Sequence, residues 1–146
     1  MDGDAERLTD ELLEQLLAAA TPEAYLAETG LEEKGFSAYL NELLAAKGLK
    51  MSEVIREAGV NPTYGYQFFS GARSNPGRDY AIQLAFGLHC SLIEAQRLLR
   101  RAGLSELWAK VPRDAVIIYA LEHGYTRAQA DDDLFRLGFE TLVKAD

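Results

Sequence analysis

The chain contains very little cysteine, histidine or proline: Cys90, two histidines (His89 and His123) and four prolines among 146 residues. A single cysteine rules out an intramolecular disulfide and a metal site built from several thiolates, and it points to a reducing compartment. Neither histidine stands in a nucleophile or ligand pattern, so both are read as structural. There is no Gly-rich phosphate loop, no metal-ligand spacing and no grouping of nucleophile, base and orienting residue. The expectation is a protein that is not an enzyme and has no metal and no cofactor. No apolar run approaches the roughly 18 residues of a membrane span. The start, Met1-Asp2-Gly3-Asp4, lacks the basic flank of a secretory signal. A cytoplasmic protein without membrane contact is expected. Sustained two-residue alternation is missing as well, whereas apolar residues recur at three and four positions, so the fold class is all-α.

What is present suffices for a core, since 48% of residues are apolar. The net charge of −8 would argue against nucleic acid if it were spread evenly. It is not. Residues 1–35 carry Asp2, Asp4, Glu6, Asp10, Glu11, Glu14, Glu23, Glu28, Glu32 and Glu33 against Arg7 and Lys34, which accounts for the whole excess. Residues 36–101 are mildly basic, with Lys47, Lys50, Arg56, Arg73, Arg78, Arg97, Arg100 and Arg101 against Glu42, Glu53, Glu57, Asp79 and Glu94.

Three regions follow. In residues 1–35, an acidic helical arm, one helix covers 9–18 with Thr9 as cap and a stripe of Leu12, Leu13, Leu16 and Leu17. A second starts at Thr21-Pro22 and ends near Gly30, before the connector Glu32-Glu33-Lys34-Gly35. In residues 36–104, Phe36, Leu40, Leu43 and Leu44 mark a helix closing at Gly48. Val54, Ile55 and Ala58 mark another. Gly59 breaks it, and Asn61-Pro62 starts the next. Residues 105–146 form a C-terminal helical hairpin packed on this domain.

An internal repeat links the last two regions. Residues 78–104 and 113–139 align without a gap, pairing Arg78 with Arg113, Asp79 with Asp114, Ile82 with Ile117, Ala85 with Ala120, Ala95 with Ala130, Leu99 with Leu134, Arg101 with Arg136 and Gly103 with Gly138. Ser91 with Glu94 and Thr126 with Gln129 are matching capping boxes, so each copy reads as a helical hairpin. The intervening Trp108 is expected to pin one copy on the other, and the duplication is read as packing.

Residues 49–71, LKMSEVIREAGVNPTYGYQFFSG, resemble the helix-turn-helix of the Cro/phage-repressor (XRE) family. The resemblance lies in the turn Ala58-Gly59-Val60, the polar cap Asn61 and the closing Gly71, followed by Arg73 and Pro76. Ile82, Leu84, Ala85 and Leu88 resemble the family's fourth helix and Ser91 to Leu99 its fifth, so the match spans about residues 36–102. It implies a five-helix repressor-type domain and a sequence-specific transcriptional regulator that binds double-stranded DNA, as a homodimer because one short helix reads few base pairs.

Carried over, Asn61, Thr63, Tyr66 and Gln67 face the DNA and Phe68 faces the core. Gln67 would bond both positions of an adenine edge, Thr63 a base and Tyr66 a phosphate. Lys50, Arg73 and Arg78, at or beyond the ends of the motif, would hold phosphates. Residues 61–70 contain no Lys or Arg, so guanine readout by the commonest pairing is not expected from this helix. Met51 replaces a glutamine usual in the family. Gly65 occupies a position normally apolar; either Tyr64 and Phe68 cover the gap or another backbone packs closely there.

The competing expectation is a protein-interaction adaptor that reuses the scaffold, with the acidic arm or Tyr66 as contact and Thr9 and Thr21 as phosphorylation sites, although both threonines also read as caps. Arg97, Arg100 and Arg101 suit either a phosphate strip or the helix dipole. Asp131-Asp132-Asp133 reads as a solvated patch, and Cys90 as a small buried residue.

Overall fold

A computed structural model describes residues 9–29 and 35–144. Every regular element among them is a helix, in the order α1 (Thr9–Ala18), α2 (Pro22–Thr29), α3 (Phe36–Lys47), α4 (Met51–Ala58), α5 (Pro62–Ser70), α6 (Arg78–Gly87), α7 (Leu92–Arg101), α8 (Pro112–Glu122) and α9 (Arg127–Arg136). The described helices include none long and apolar enough to cross a membrane. The chain divides into two compact units, Met1–Glu33 and Lys34–Asp146.

In the first unit, Thr21 Oγ1 accepts the Ala24 N–H at 3.1 Å, so this threonine caps α2. Tyr25 is buried, whereas Leu13, Leu16, Leu17 and Leu26 remain exposed. The Thr9 side chain, Gly30 and residues 31–34 lie outside the described residues.

The second unit encloses one core, with Leu40, Ile82, Leu84, Leu88, Leu98, Leu99, Ile117 and Leu134 almost fully buried. Gly48 (φ 61°) and Gly59 (φ 70°) close α3 and α4 in the left-handed region, where a side chain would be strained. Helix α6 packs on α4 at close range: a Cβ on Gly87 would collide with the Val54 carbonyl oxygen.

The repeat is physical. Both capping boxes form, Ser91 with Glu94 and Thr126 with Gln129. The left-handed residue before each box is His89 (φ 55°) in one copy and Gly124 (φ 67°) in the other. The copies exchange ions reciprocally. Arg78 bonds both carboxylate oxygens of Asp114, at 3.0 and 2.8 Å, and Arg113 bonds both of Asp79, at 2.9 and 3.1 Å. Each guanidinium also donates to carbonyls at equivalent places, Arg78 to Ser105 and Glu106, Arg113 to Glu140 and Thr141. A planar fork meeting a carboxylate on two prongs is the strongest form of this pairing.

Three expectations are corrected here. Arg78, placed among the phosphate contacts, is committed to this joint. Trp108 does not pin the hairpins by its side chain: the residue is 61% exposed, while the neighbouring Leu107 is buried and Gln96 holds the Leu107 backbone at both N–H and C=O, each at 2.8 Å. Asp131 is no solvated acid; it is 7% exposed, accepts the Leu142 and Val143 N–H groups at 2.6 and 3.2 Å, and pairs with Arg127. Of the basic strip, Arg101 lies over the Tyr39 ring at 4.6 Å and Arg100 reaches Glu106 at 3.1 Å.

Burial by itself would raise the Asp114 carboxyl. Hydrogen bonds from Arg78 and from the Trp108 N–H, with the charges of Arg78 and Arg113, outweigh it and hold the group below the ordinary carboxylate range. A depressed folded value adds stability above the unfolded carboxyl's value of about 3.9, and that contribution disappears as pH falls through the folded value. In urea unfolding, Arg78→Ala should therefore cost about 3 kcal/mol at pH 7, because it strands a buried charge. Asp79→Ala, on the more exposed pair, should cost about 1 kcal/mol or less. Asp114→Asn should flatten the loss of stability below about pH 4.

Candidate nucleic-acid interface

Helix α5 exists because its ends are satisfied. Asn61 Oδ1 accepts the N–H groups of Thr63 at 2.9 Å and Tyr64 at 3.3 Å, and Pro62 occupies the first turn, where a missing N–H costs nothing. Gly71 (φ 86°) closes the far end. There α3 supplies the cap: Ser37 Oγ and Asn41 Nδ2 both donate to the Phe69 carbonyl, at 3.1 and 2.7 Å. Phe68 and Phe69 are buried, and Phe68 sits between Phe36 and Tyr80 with ring centroids 5.8 and 5.0 Å away.

Gly65 explains how α5 lies so near α4. A Cβ there would meet the Ile55 side chain, 3.0 Å from Cγ1 and 3.1 Å from Cγ2. Ile55 thus fills the place expected to fall to Tyr64 and Phe68 or to another backbone. The turn between α4 and α5 is backed by the C-terminal hairpin, since a Cβ on Gly59 would lie 2.9 Å from Val143 Cγ2 and 3.0 Å from Arg127 Nε. Gln83, 7% exposed, donates from α6 to the Ala58 and Gly59 carbonyls at 3.1 and 3.4 Å. Ser37, Asn41 and Gln83 were not singled out from the sequence. Gln83 carried a signal, being a polar residue between Ile82 and Leu84 on an apolar helix.

The outer face of α5 is open. Asn61, Pro62, Thr63, Tyr64, Tyr66 and Ser70 are exposed and Gln67 half-buried. Thr63 and Gln67, four apart, share a row, and Tyr66 lies on the next row with Pro62 and Ser70. Arg73 joins this face from the following loop. Its backbone N–H donates to the Gln67 carbonyl at 3.2 Å, its Nε–H donates to Gln67 Oε1 at 3.1 Å, and its guanidinium carbon lies 4.2 Å from the Tyr64 ring centroid. The cation missing from residues 61–70 is therefore delivered from three residues beyond the helix. Lys50 is exposed at the start of α4, as its N-cap residue.

Two of these side chains are already engaged. Gln67 Oε1 accepts from Arg73, which leaves its NH₂ and the second lone pair of that oxygen. The Asn61 oxygen accepts twice, as the cap. Of the residues expected at the interface, Gln67 and Arg73 are bonded together, with Thr63 in the Gln67 row and Tyr66 on the next; Asn61 caps the helix start, Lys50 belongs to α4, and Arg78 is engaged with Asp114.

Elsewhere, a cleft of about 350 Å³ is lined by Lys47, Glu57, His89, Glu94, Tyr125 and Arg127 among others. Its polar groups largely close on one another: Lys47 pairs with Glu94 and Arg127 with Asp131, each at 2.9 Å, and His89 Nε2 is in hydrogen-bond contact with Glu57 at 2.9 Å. Cys90, on its wall, is buried, and burial pushes its thiol up to about 12. Among the described residues there is no group of three or more His, Cys, Asp or Glu able to hold a metal ion. Comparison with models of protein families, with curated proteins and with solved structures finds no match for the chain.

Gly65→Ala gains helix propensity worth up to about 1 kcal/mol but crowds Ile55, an overpacking that costs about 1–3 kcal/mol. A net loss of stability is expected by thermal unfolding, and adding Ile55→Val should recover part of it. A Gly65→Ala protein more stable than the parent would show that this contact is not tight.

Proposed function

We propose that the chain is a sequence-specific DNA-binding regulator, acting as a dimer, with α4 and α5 as a helix-turn-helix of the Cro/phage-repressor kind and α3 to α7 as its five-helix domain. The observation that carries this reading is the outward face of α5, where Thr63, Gln67 and Arg73 project together from a helix whose two ends and inner face are fixed. An α-helix fits the major groove, and short polar side chains with one guanidinium are what base edges and phosphates require. Lys50 adds a phosphate contact from the start of α4. The acidic excess of residues 1–35 comes from side chains of the other unit, Met1–Glu33.

A second reading, a protein-interaction adaptor, is favoured by the surface of the C-terminal hairpin. Trp108, Val111, Tyr119, Phe135 and Leu137 are exposed there, and Tyr119 stacks on His123 with ring centroids 3.8 Å apart. Aromatic residues of this kind are enriched at protein interfaces. Dimerisation of a regulator would use the same surface. Thr21, a candidate phosphorylation site under the adaptor reading, is occupied as a cap.

The test is binding to fragmented genomic DNA. A regulator should bind, with affinity falling about 10- to 100-fold between roughly 50 and 200 mM salt, and Gln67→Ala/Arg73→Ala should abolish specific binding without changing the melting temperature. No binding to any DNA at low salt rejects this function. An adaptor would instead hold a stoichiometric protein after nuclease treatment and lose it on Tyr119→Ala/Phe135→Ala.

A further inference from the structure

Resting on the DNA-binding reading, the geometry points to guanine as the base read by α5, through a unit made of Arg73 and Gln67. Gln67 has one side-chain acceptor, Oε1, and the Arg73 Nε–H donates to it at 3.1 Å. Because arginine has no acceptor, the amide can satisfy this bond only with its oxygen towards Arg73, so the assignment of oxygen and nitrogen is fixed chemically. What Gln67 has left is its NH₂ group and the second lone pair of Oε1. What Arg73 has left is its two terminal NH₂ groups, held in one plane by Nε and by the Tyr64 ring 4.2 Å beneath.

The terminal groups of the Arg73 guanidinium therefore present a forked pair of donors and no acceptor, with the Gln67 NH₂ beside them. In the major groove guanine offers two adjacent acceptors, N7 and O6, whereas adenine offers one acceptor beside a donor, and cytosine offers a donor. A forked donor pair matches guanine and meets a like group at adenine N6. A free arginine side chain loses rotamer entropy on binding a base. Here that loss is already met within the protein, because Arg73 is tied to Gln67 by backbone and side chain together. Arg73 is thus a specificity-determining residue and Gln67 its positioning residue, in place of the adenine reader and the phosphate contact expected from sequence.

Selection from double-stranded DNA with a randomised core of about 20 base pairs, two helical turns, should enrich guanine at one fixed place in each half-site. In the enriched duplex, replacing that guanine by inosine, which keeps N7 and O6, should leave affinity unchanged. Replacement by 7-deazaguanine or adenine should weaken binding about tenfold or more. Arg73→Lys keeps the charge but lacks the fork, so it should still bind DNA while losing the preference for guanine. Gln67→Ala should reduce that preference without removing it. The inference is overturned if DNA is bound with no preference for guanine, if 7-deazaguanine binds as well as guanine, or if Arg73→Lys preserves the preference; in each case DNA binding itself survives. Absence of binding to any duplex overturns it together with the DNA-binding reading. Arg73 is exposed, so unchanged melting temperatures separate these effects from misfolding.

Discussion

The exchange of guanidinium and carboxylate between α6 and α8 holds the rest of the larger unit in place. Two forks, Arg78 on Asp114 and Arg113 on Asp79, seat the second hairpin against the first. Once seated, that hairpin carries Arg127 and Val143 to the back of the Gly59 turn. The turn sets where α4 ends and α5 begins, and Gln83 ties down the freed carbonyls of Ala58 and Gly59. A contact distant from the candidate interface therefore governs the stance of the helix that forms it. The reciprocity also explains why the duplication preserves Arg and Asp at the start of each copy: one residue of each kind from each hairpin is needed to close the joint.

Around α5 the same economy of polar groups recurs. The amide oxygens work locally, Asn61 at the helix start and Gln67 on Arg73, while the carbonyl at the far end goes to Ser37 and Asn41. The inner face is apolar and close-packed, with Ile55 in the space that Gly65 leaves open. Rigidity and chemical bias thus have one origin. The Arg73 guanidinium, held at this helix by Gln67 and Tyr64, offers donors to whatever it meets, and duplex DNA is rich in acceptors along its backbone and at guanine.

Much of this was legible in the chain. Helix boundaries followed from punctuation, as with Asn61-Pro62 opening α5, the glycines closing α3, α4 and α5, and the two capping boxes, because these are local signals that packing seldom overrides. The repeat was legible too, but not its use. Nothing in the spacing of Arg78 and Asp114 says that they meet, since the pairing depends on how two hairpins cross. Trp108 misled because size suggests burial, whereas Leu107, one residue earlier, points inward. Asp131 misled for the opposite reason: three acids in a row suggest solvent, yet one of them satisfies the backbone of Leu142 and Val143. At the candidate site, position along the chain put Arg73 beyond the helix, and only the closing turn at Gly71 brings it back over Gln67 and Tyr64.

The central claim is that the outward face of α5 is the surface that meets duplex DNA. Amide and side-chain NMR of the labelled protein, titrated with a short duplex at low salt, tests it residue by residue. Resonances of Asn61, Thr63, Gln67, Arg73 and Lys50 should shift together, including the Arg73 Nε–H, while those of Tyr119, His123 and Phe135 stay in place. Shifts gathered on the C-terminal hairpin with α5 unmoved would contradict the account.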